Sequence, residues 1–173
     1  MNIVRAERVD FQVAPGVFLE FYRLPSGEKR IGLTSAALVC GLRKGYLSES
    51  AKRGSKGFKA LQDNGYTGQQ IQVSLSNSRG GTRAETLSLD DFVAVAEYAA
   101  LDLGKVPAKT IIRALTRVQI RDIANRAFGE SALTLEQIRQ SICSDYAKTV
   151  NWLDEDRSDA HEIDEHLLFL HVL

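Results

Sequence analysis

The sequence predicts an α+β protein with a basic domain over residues 1–128 and an acidic helical segment over 129–173. Runs of alternating apolar and polar residues, bounded by turn residues, predict two β-hairpins in the first half. Capped stretches of helical periodicity predict a helical hairpin and a further helix from residue 88 onward. The zero net charge hides an asymmetry: residues 23–126 hold 17 Lys and Arg against 9 Asp and Glu, whereas residues 129–173 hold 3 against 10. Such an asymmetry indicates either nucleic-acid binding by the basic part or an acidic segment that covers it.

Composition narrows the protein class. With 173 residues, 44% of them hydrophobic and 25% charged, the chain has the size and balance of an ordinary globular domain. It contains neither an apolar run long enough to span a bilayer nor a signal-peptide core near Met1, so we expect a cytoplasmic protein that makes no contact with membranes. Cys40 and Cys143 match no zinc spacing and are expected to be reduced, buried thiols.

The first hairpin is predicted over residues 17–23 and 29–33. Its strands flank Pro25-Ser26-Gly27, a typical turn sequence. A short helix should follow, with Thr34 as its N-cap, Leu33 and Leu38 as a hydrophobic staple, and Gly41 as its stop.

A glycine-rich basic loop is predicted over residues 43–68, with a short helix at 58–62. It carries Lys52, Arg53 and Lys56. Exposed loops of this kind often carry function.

The second hairpin is predicted over residues 71–75 and 84–87, with a glycine-containing tip that bears Arg79 and Arg83. A β-ribbon with a basic tip can lie along a DNA groove or clamp a phosphate. The simpler alternative is a solvated turn.

Helix signals are clearest after the second hairpin. Ser88 and Asp91 form a capping box for a helix that ends at Gly104, and Pro107 suits the first turn of the next helix, over 108–128. That second helix places four basic residues at i, i+4 spacing: Lys109, Arg113, Arg117 and Arg121. Its core-facing side is predicted to carry Ile112, Leu115, Ile120, Ile123, Ala124 and Ala127. Like charges at this spacing destabilise an isolated helix by about 0.2 to 0.5 kcal/mol per pair, which favours an anionic partner.

A third helix should begin at Thr134, where Gln137 completes a second capping box. Its narrow apolar stripe predicts packing on one neighbouring helix, of this chain or of a second subunit; the stripe comprises Ile138, Ile142, Tyr146, Val150 and Leu153. The acidic stretch 154–165 then precedes the apolar run 167–170, which is expected to be core or interface.

Catalytic and metal-binding patterns fail on geometry. His161 and His166 are five residues apart, which places them about 140° apart on an α-helix and prevents a zinc-protease site. The crowded acids Asp154, Glu155 and Asp156, with Asp159, resemble a solvated turn. We therefore predict no catalytic residue, no metal and no cofactor.

The order of elements over residues 17–128 resembles the N-terminal DNA-binding domains of phage antirepressors, of the Bro-N and KilA-N type. The likeness lies in the segment 33–42 (LTSAALVCGL), the basic loop, a hairpin ending in 85–88 (ETLS), and a Gly104-Lys105 link before the basic helix. This resemblance implies sequence-specific binding to duplex DNA in a phage or mobile-element setting, with the C-terminal part serving oligomerisation.

We therefore expect a regulator that binds duplex DNA through its basic residues and forms a homodimer through its C-terminal helices, with the acidic tail tuning or masking the basic face. The predicted contact residues are Lys109, Arg113, Arg117, Arg121, Arg79, Arg83, Lys52, Arg53 and Lys56. Two alternatives remain open. One is a metal-dependent DNA endonuclease using Glu20, Glu28 and Lys29; the other is an interaction module whose basic stripe receives an acidic protein.

Overall fold

The computed structural model describes residues 4–14, 16–53, 55–75 and 82–147, with the side chains of 51–53 excepted. Its six strands form one mixed sheet in the order β1-β5-β6-β4-β3-β2. Only the β1–β5 pairing is parallel among these strands. The strands are β1 (Val4–Arg5), β2 (Glu7–Ala14), β3 (Val17–Arg23), β4 (Lys29–Gly32), β5 (Ile71–Leu75) and β6 (Thr82–Ser88). The predicted α+β class is confirmed.

Helices cover one face of this sheet and form the main core with it. Side chains of β3 alternate between the two faces of the sheet. Leu19 lies in the main core on the face that the helices cover, whereas Tyr22 lies in a smaller cluster with Val73 on the other face. The helices are α1 (Leu33–Val39), α2 (Tyr46–Arg53), α3 (Lys56–Asp63), α4 (Leu89–Glu97), α5 (Val106–Ala127) and α6 (135–147), with a π-helical turn at Tyr98–Asp102 between α4 and α5.

Both predicted hairpins are present, but the first belongs to a three-stranded meander, because β2 pairs with β3 along most of its length. The helix after β4 begins two residues earlier than predicted, with Gly32 rather than Thr34 as its N-cap. Ser35 binds this turn by donating to the Gly32 carbonyl, 2.9 Å away. Leu38 is 49% exposed, so the predicted staple is wrong.

The prediction of a basic loop over 43–68 with one short helix is also wrong, because two eight-residue helices, α2 and α3, occupy most of it. Leu47 on α2 and Leu61 on α3 are buried, so each helix docks on the core through an apolar side. Ser55 caps α3 by accepting a hydrogen bond from the Phe58 amide at 3.2 Å.

At the start of α4, Ser88 accepts from the amide of Asp91 as predicted, but the Asp91 carboxylate does not complete the box. It accepts instead from the amide and hydroxyl of Thr67, at 2.6 and 3.0 Å, and so fixes the segment before β5. The predicted helix over 89–103 changes to the π-helical turn after Glu97. Pro107 lies in the first turn of α5, as predicted.

Helix α6 begins with the predicted capping box. The Thr134 amide donates to the Gln137 side chain at 2.9 Å, and the Gln137 amide donates to the Thr134 hydroxyl at 3.2 Å. Ile142 and Tyr146 are buried in the main core, and the Tyr146 hydroxyl donates to the Val39 carbonyl at 2.8 Å. The described part of the stripe therefore packs on its own chain; Val150 and Leu153 lie outside the described residues.

Candidate nucleic-acid interface

Helix α5 is fixed to the core through small and aliphatic residues in its first half. Ala108, Ile111 and Ala114 are buried where α5 packs on α1, α4 and the π-helical turn. The alanines allow close approach of the backbones. Gly41, at the end of α1, has a φ of +72°. A Cβ added to Gly41 would lie 3.0 Å from Cγ of Pro107, so α1 and the first turn of α5 are in close contact.

The predicted inner face of α5 is wrong beyond its first half. Ile120 and Ile123 are 62% and 60% exposed, and Ala124, Ala127 and Leu115 are also exposed; Ile112 alone of the predicted set packs partly against the core. At 100° per residue, the face through Ile111 and Ala114 points nearly opposite to the one through Ile120 and Ile123. The choice of face was therefore wrong, because both sides of the helix carry apolar residues.

The four basic residues of α5 are all exposed, as their spacing predicts, and we call them the basic stripe: Lys109, Arg113, Arg117 and Arg121. Arg117 Nη1 lies 2.9 Å from an Asp145 carboxylate oxygen on α6. Within the described ranges, Lys109, Arg113 and Arg121 take part in none of the salt bridges. The side chain of Arg117 is 65% exposed and that of Asp145 is 18% exposed, so the guanidinium can reach a phosphate, but only by leaving a partly buried carboxylate without this partner.

The other predicted contact residues lie on different elements. Lys52 and Arg53 fall in the last turn of α2, although their side chains are not described. Lys56 is the first residue of α3 and is exposed. Arg83 is exposed on β6, opposite Ser74, whereas Arg79 lies outside the described residues.

The structure places the described basic side chains on two surfaces. Helix α2 is linked to β6 by a 3.4 Å hydrogen bond from Ser48 to Glu85, so it lies beside the second hairpin. Ile111 and Leu115 of α5 instead line a cavity with residues of β2 and β3. In the observed strand order, β2 and β5 are separated by three strands, or roughly 19 Å at about 4.8 Å per strand. That distance is less than one turn of B-DNA, about 34 Å, so a single duplex is long enough to meet both surfaces.

A cavity on the core-facing side of α5 has entirely apolar walls. It measures about 210 Å³ and opens to solvent on one side. The walls are contributed by β2, β3, α4, α5 and α6. Leu135 and Ile138 line it from the first turns of α6, and Leu115 lines it from α5. Ile111 and Leu115 each lie two residues, or about 160° of rotation, from the adjacent residues of the basic stripe, so the cavity is on the core-facing side of α5. Sequence reasoning missed this cavity because its walls come from five separate elements.

The carboxylates of the endonuclease alternative have separate partners. Glu20 accepts from the Tyr22 hydroxyl at 3.0 Å and pairs with Arg8 at 3.0 Å. Burial, reinforced by the negative charge of Glu20, raises the pKa of Tyr22 to about 12. Glu28 instead pairs with the buried guanidinium of Arg30 at 2.5 Å.

Arg30 also donates to Thr86 Oγ1 at 3.0 Å and to the Gln69 carbonyl at 2.7 Å, so Glu28 belongs to a structural network across the sheet. Lys29 is exposed on β4. In the part of the chain that the structure describes, no three His, Cys, Asp or Glu residues are grouped as a metal site would require.

The pairing of Asp145 with the stripe was not predicted, because it joins residues 28 positions apart and leaves no local signal. Across the described ranges, every helix is too short or too polar to cross a membrane. Comparison of the chain with family models, curated proteins and solved structures finds no match.

Proposed function

We propose that this protein binds duplex DNA, with the basic stripe of α5 lying against the phosphate backbone. The observation that carries the proposal is the outward presentation of four consecutive i, i+4 basic side chains on a helix whose opposite side is fixed in the core. A rigid helix keeps these charges in register, and neutralising phosphates releases counterions, which drives binding. The resemblance to phage antirepressor domains supports the same role, a regulator acting at specific DNA sites.

The second hairpin and the ends of α2 and α3 are proposed as a secondary contact. Lys56 and Arg83 are exposed there, and Lys52, Arg53 and Arg79 belong to the same region of the chain. A duplex that follows the sheet from α5 toward β5 would meet both surfaces. Residues on this second surface should therefore add affinity without being required for the first contact.

The experiment is a salt series of duplex binding by fluorescence anisotropy. Three to four phosphate contacts from the stripe predict a slope of about −2.7 to −3.6 in log K against log salt. The triple change of Arg113, Arg117 and Arg121 to Ala should flatten that slope by about 2.7. The matched control is Arg126→Ala, because Arg126 is an exposed arginine of the same helix that pairs with Asp122 at 2.8 Å and lies on another side.

Absence of binding at low salt, or an equal loss in the triple variant and the control, would overturn the proposal. Binding of an acidic protein by the stripe, without any DNA binding, would favour the interaction module instead. Magnesium-dependent nicking abolished by Glu20→Ala or Glu28→Ala would favour the endonuclease.

We also propose that the protein forms a homodimer, through the outer side of α5 near its C-terminal end. Because Ile142 and Tyr146 are committed to the core, the exposed apolar residues Ile120, Ile123 and Phe128 are the better surface for a second copy. Sedimentation analysis should give a dimer that Ile120→Asp with Ile123→Asp converts to a monomer. A wild-type monomer at high concentration would refute this interface.

A further inference from the structure

We propose that the apolar cavity between the sheet and helices α4, α5 and α6 binds a small, uncharged aromatic molecule, of the size of an alkylbenzene with about eight carbon atoms. This site is separate from the proposed DNA contact, because the cavity lies on the core-facing side of α5, about 160° around the helix from the adjacent stripe residues. Binding of the aromatic molecule can therefore be tested without DNA.

The cavity is a gap in an otherwise close-packed core. Val13, Leu19 and Ile142 line it, and all three are buried members of the main core. Protein interiors hold few voids larger than a water molecule, whereas this cavity measures about 210 Å³. Such a void destabilises the fold, because the side chains around it lack contacts on one side. A bound molecule of matching shape supplies those contacts.

The walls select an apolar and uncharged ligand. All ten lining residues in the described ranges are aliphatic or aromatic, so their side chains offer no hydrogen-bond partner to water or to a charged group. Burying a polar group without a partner costs free energy, and burying an unpaired charge costs much more. Carboxylates, phosphates and amines are therefore excluded from the cavity, whereas a hydrocarbon meets no such penalty.

Aromatic side chains in the wall favour an aromatic ligand. Phe11 and Phe21 pack edge to face, with ring centroids 6.4 Å apart and an interplanar angle of 80°. Both line the cavity, together with Phe92. Edge-to-face contacts between rings stabilise a site beyond the burial of apolar surface, so a ring in the cavity would gain from three phenylalanine neighbours.

The volume sets the size of the ligand, and the exposed part of the wall provides its entrance. An apolar cavity of about 150 Å³ holds benzene, which has six carbon atoms, so about 210 Å³ accommodates about eight. Leu115 and Leu135 are the two lining residues that are exposed, at 39% and 68%. They mark the side that opens to solvent, where a ligand enters past two flexible side chains.

The probe is ethylbenzene, and its matched control is phenylacetate, which has the same ring and nearly the same size but carries a carboxylate. Calorimetric titration of the full chain should give one-to-one binding of ethylbenzene with a dissociation constant below about 1 mM. Phenylacetate should bind at least about tenfold more weakly. In methyl NMR spectra, ethylbenzene should shift the signals of the lining residues Ile111, Ile138 and Ile142. The signals of Ile120 and Ile123, which are exposed and do not line the cavity, should not move.

Two variants change the cavity in opposite directions. Leu115→Trp places a larger side chain at the opening and should weaken ethylbenzene binding about tenfold. Its control is Leu101→Trp, which should match wild type because Leu101 is 76% exposed and does not line the cavity. Ile138→Ala enlarges the cavity and should shift the preference from ethylbenzene toward butylbenzene about fivefold. A variant that merely loses stability cannot produce this gain of binding.

Absence of saturable ethylbenzene binding by the wild type, or equal affinity for phenylacetate, would overturn the proposal. Binding that Leu115→Trp leaves unchanged, or methyl shifts confined to residues outside the cavity, would overturn it as well. If ethylbenzene binds only after Leu168→Asp with Phe169→Asp, the apolar run 167–170 of the chain itself occupies the cavity and the proposal fails.

Discussion

Replacing Ile142 with Ala tests whether α6 belongs to the folded domain or is a separable oligomerisation segment. Ile142 is 1% exposed and packs in the main core near β2, β3 and α5. Truncating a fully buried aliphatic side chain to Ala costs about 2 to 5 kcal/mol. Ile142 already borders the cavity, so the space left behind would join an existing void, which favours the larger part of that range.

The measurement is urea unfolding followed by circular dichroism, with Leu135→Ala as the matched control on the same helix. Leu135 is mostly exposed and its truncation should cost less than about 0.5 kcal/mol. For a chain of this size, 2 to 5 kcal/mol also lowers the melting temperature by roughly 4 to 20 °C. A loss below 0.5 kcal/mol for Ile142→Ala, with an unchanged m-value, would refute the packing of α6 on this core.

The remaining predictions concern single contacts. Gly57→Ala should destabilise by about 1 to 3 kcal/mol, because its Cβ would lie 2.9 Å from the Tyr98 hydroxyl oxygen; Tyr98→Phe should restore part of the loss in a double-mutant cycle. Burial raises the pKa of the Cys40 thiol from 9.0 to about 12. The neutral thiol therefore stabilises the fold fully below pH 9, and this stabilisation is lost as the pH rises from 9 to 12. The urea midpoint should fall across that range, and it should fall less in Cys40→Ala. A cycle of Arg117→Ala and Asp145→Ala should give a coupling of about 1 kcal/mol that weakens at 1 M salt, because Arg117 is exposed whereas Asp145 is partly buried; a coupling of zero at low salt would contradict the pair.

The sequence predicted correctly those helix ends that depend only on contacts between residues within one turn. The capping box at Thr134 and the glycine stop at Gly129, with a φ of +72°, depend on residues within one turn and were predicted correctly. Strands β1 and β2 were missed for the opposite reason. Their polar residues look like an irregular N-terminus until β3 and β5 supply partners, and β1 pairs with β5 almost 70 residues away.

The orientation of α5 shows where periodicity alone reaches its limit. A helix with apolar residues on two sides offers two possible inner faces, and tertiary contacts decide between them. Here the choice is made by Ala108 and Ala114, which allow α5 close to its neighbours, whereas the larger Ile120 and Ile123 remain outside. Composition favours the face with more large apolar residues, but close packing near Gly41 favours the face with small ones.

The orientation of α5 also accounts for the exposure of the basic stripe. The stripe drifts by about 40° for every four residues, so over Lys109 to Arg121 it sweeps about 120° of the helix surface. If Ile120 and Ile123 faced the core, Lys109 would point only about 10° from the middle of that inner face. With Ile111 and Ala114 facing the core instead, the structure leaves all four side chains of the stripe in solvent. The same orientation leaves the apolar side chains of Ile120 and Ile123 exposed next to Arg121. The proposed DNA contact and the proposed contact with a second copy would use neighbouring residues of α5, because the exposed Ile120 directly precedes Arg121. If both proposals hold, we therefore expect dimerisation and DNA binding to compete.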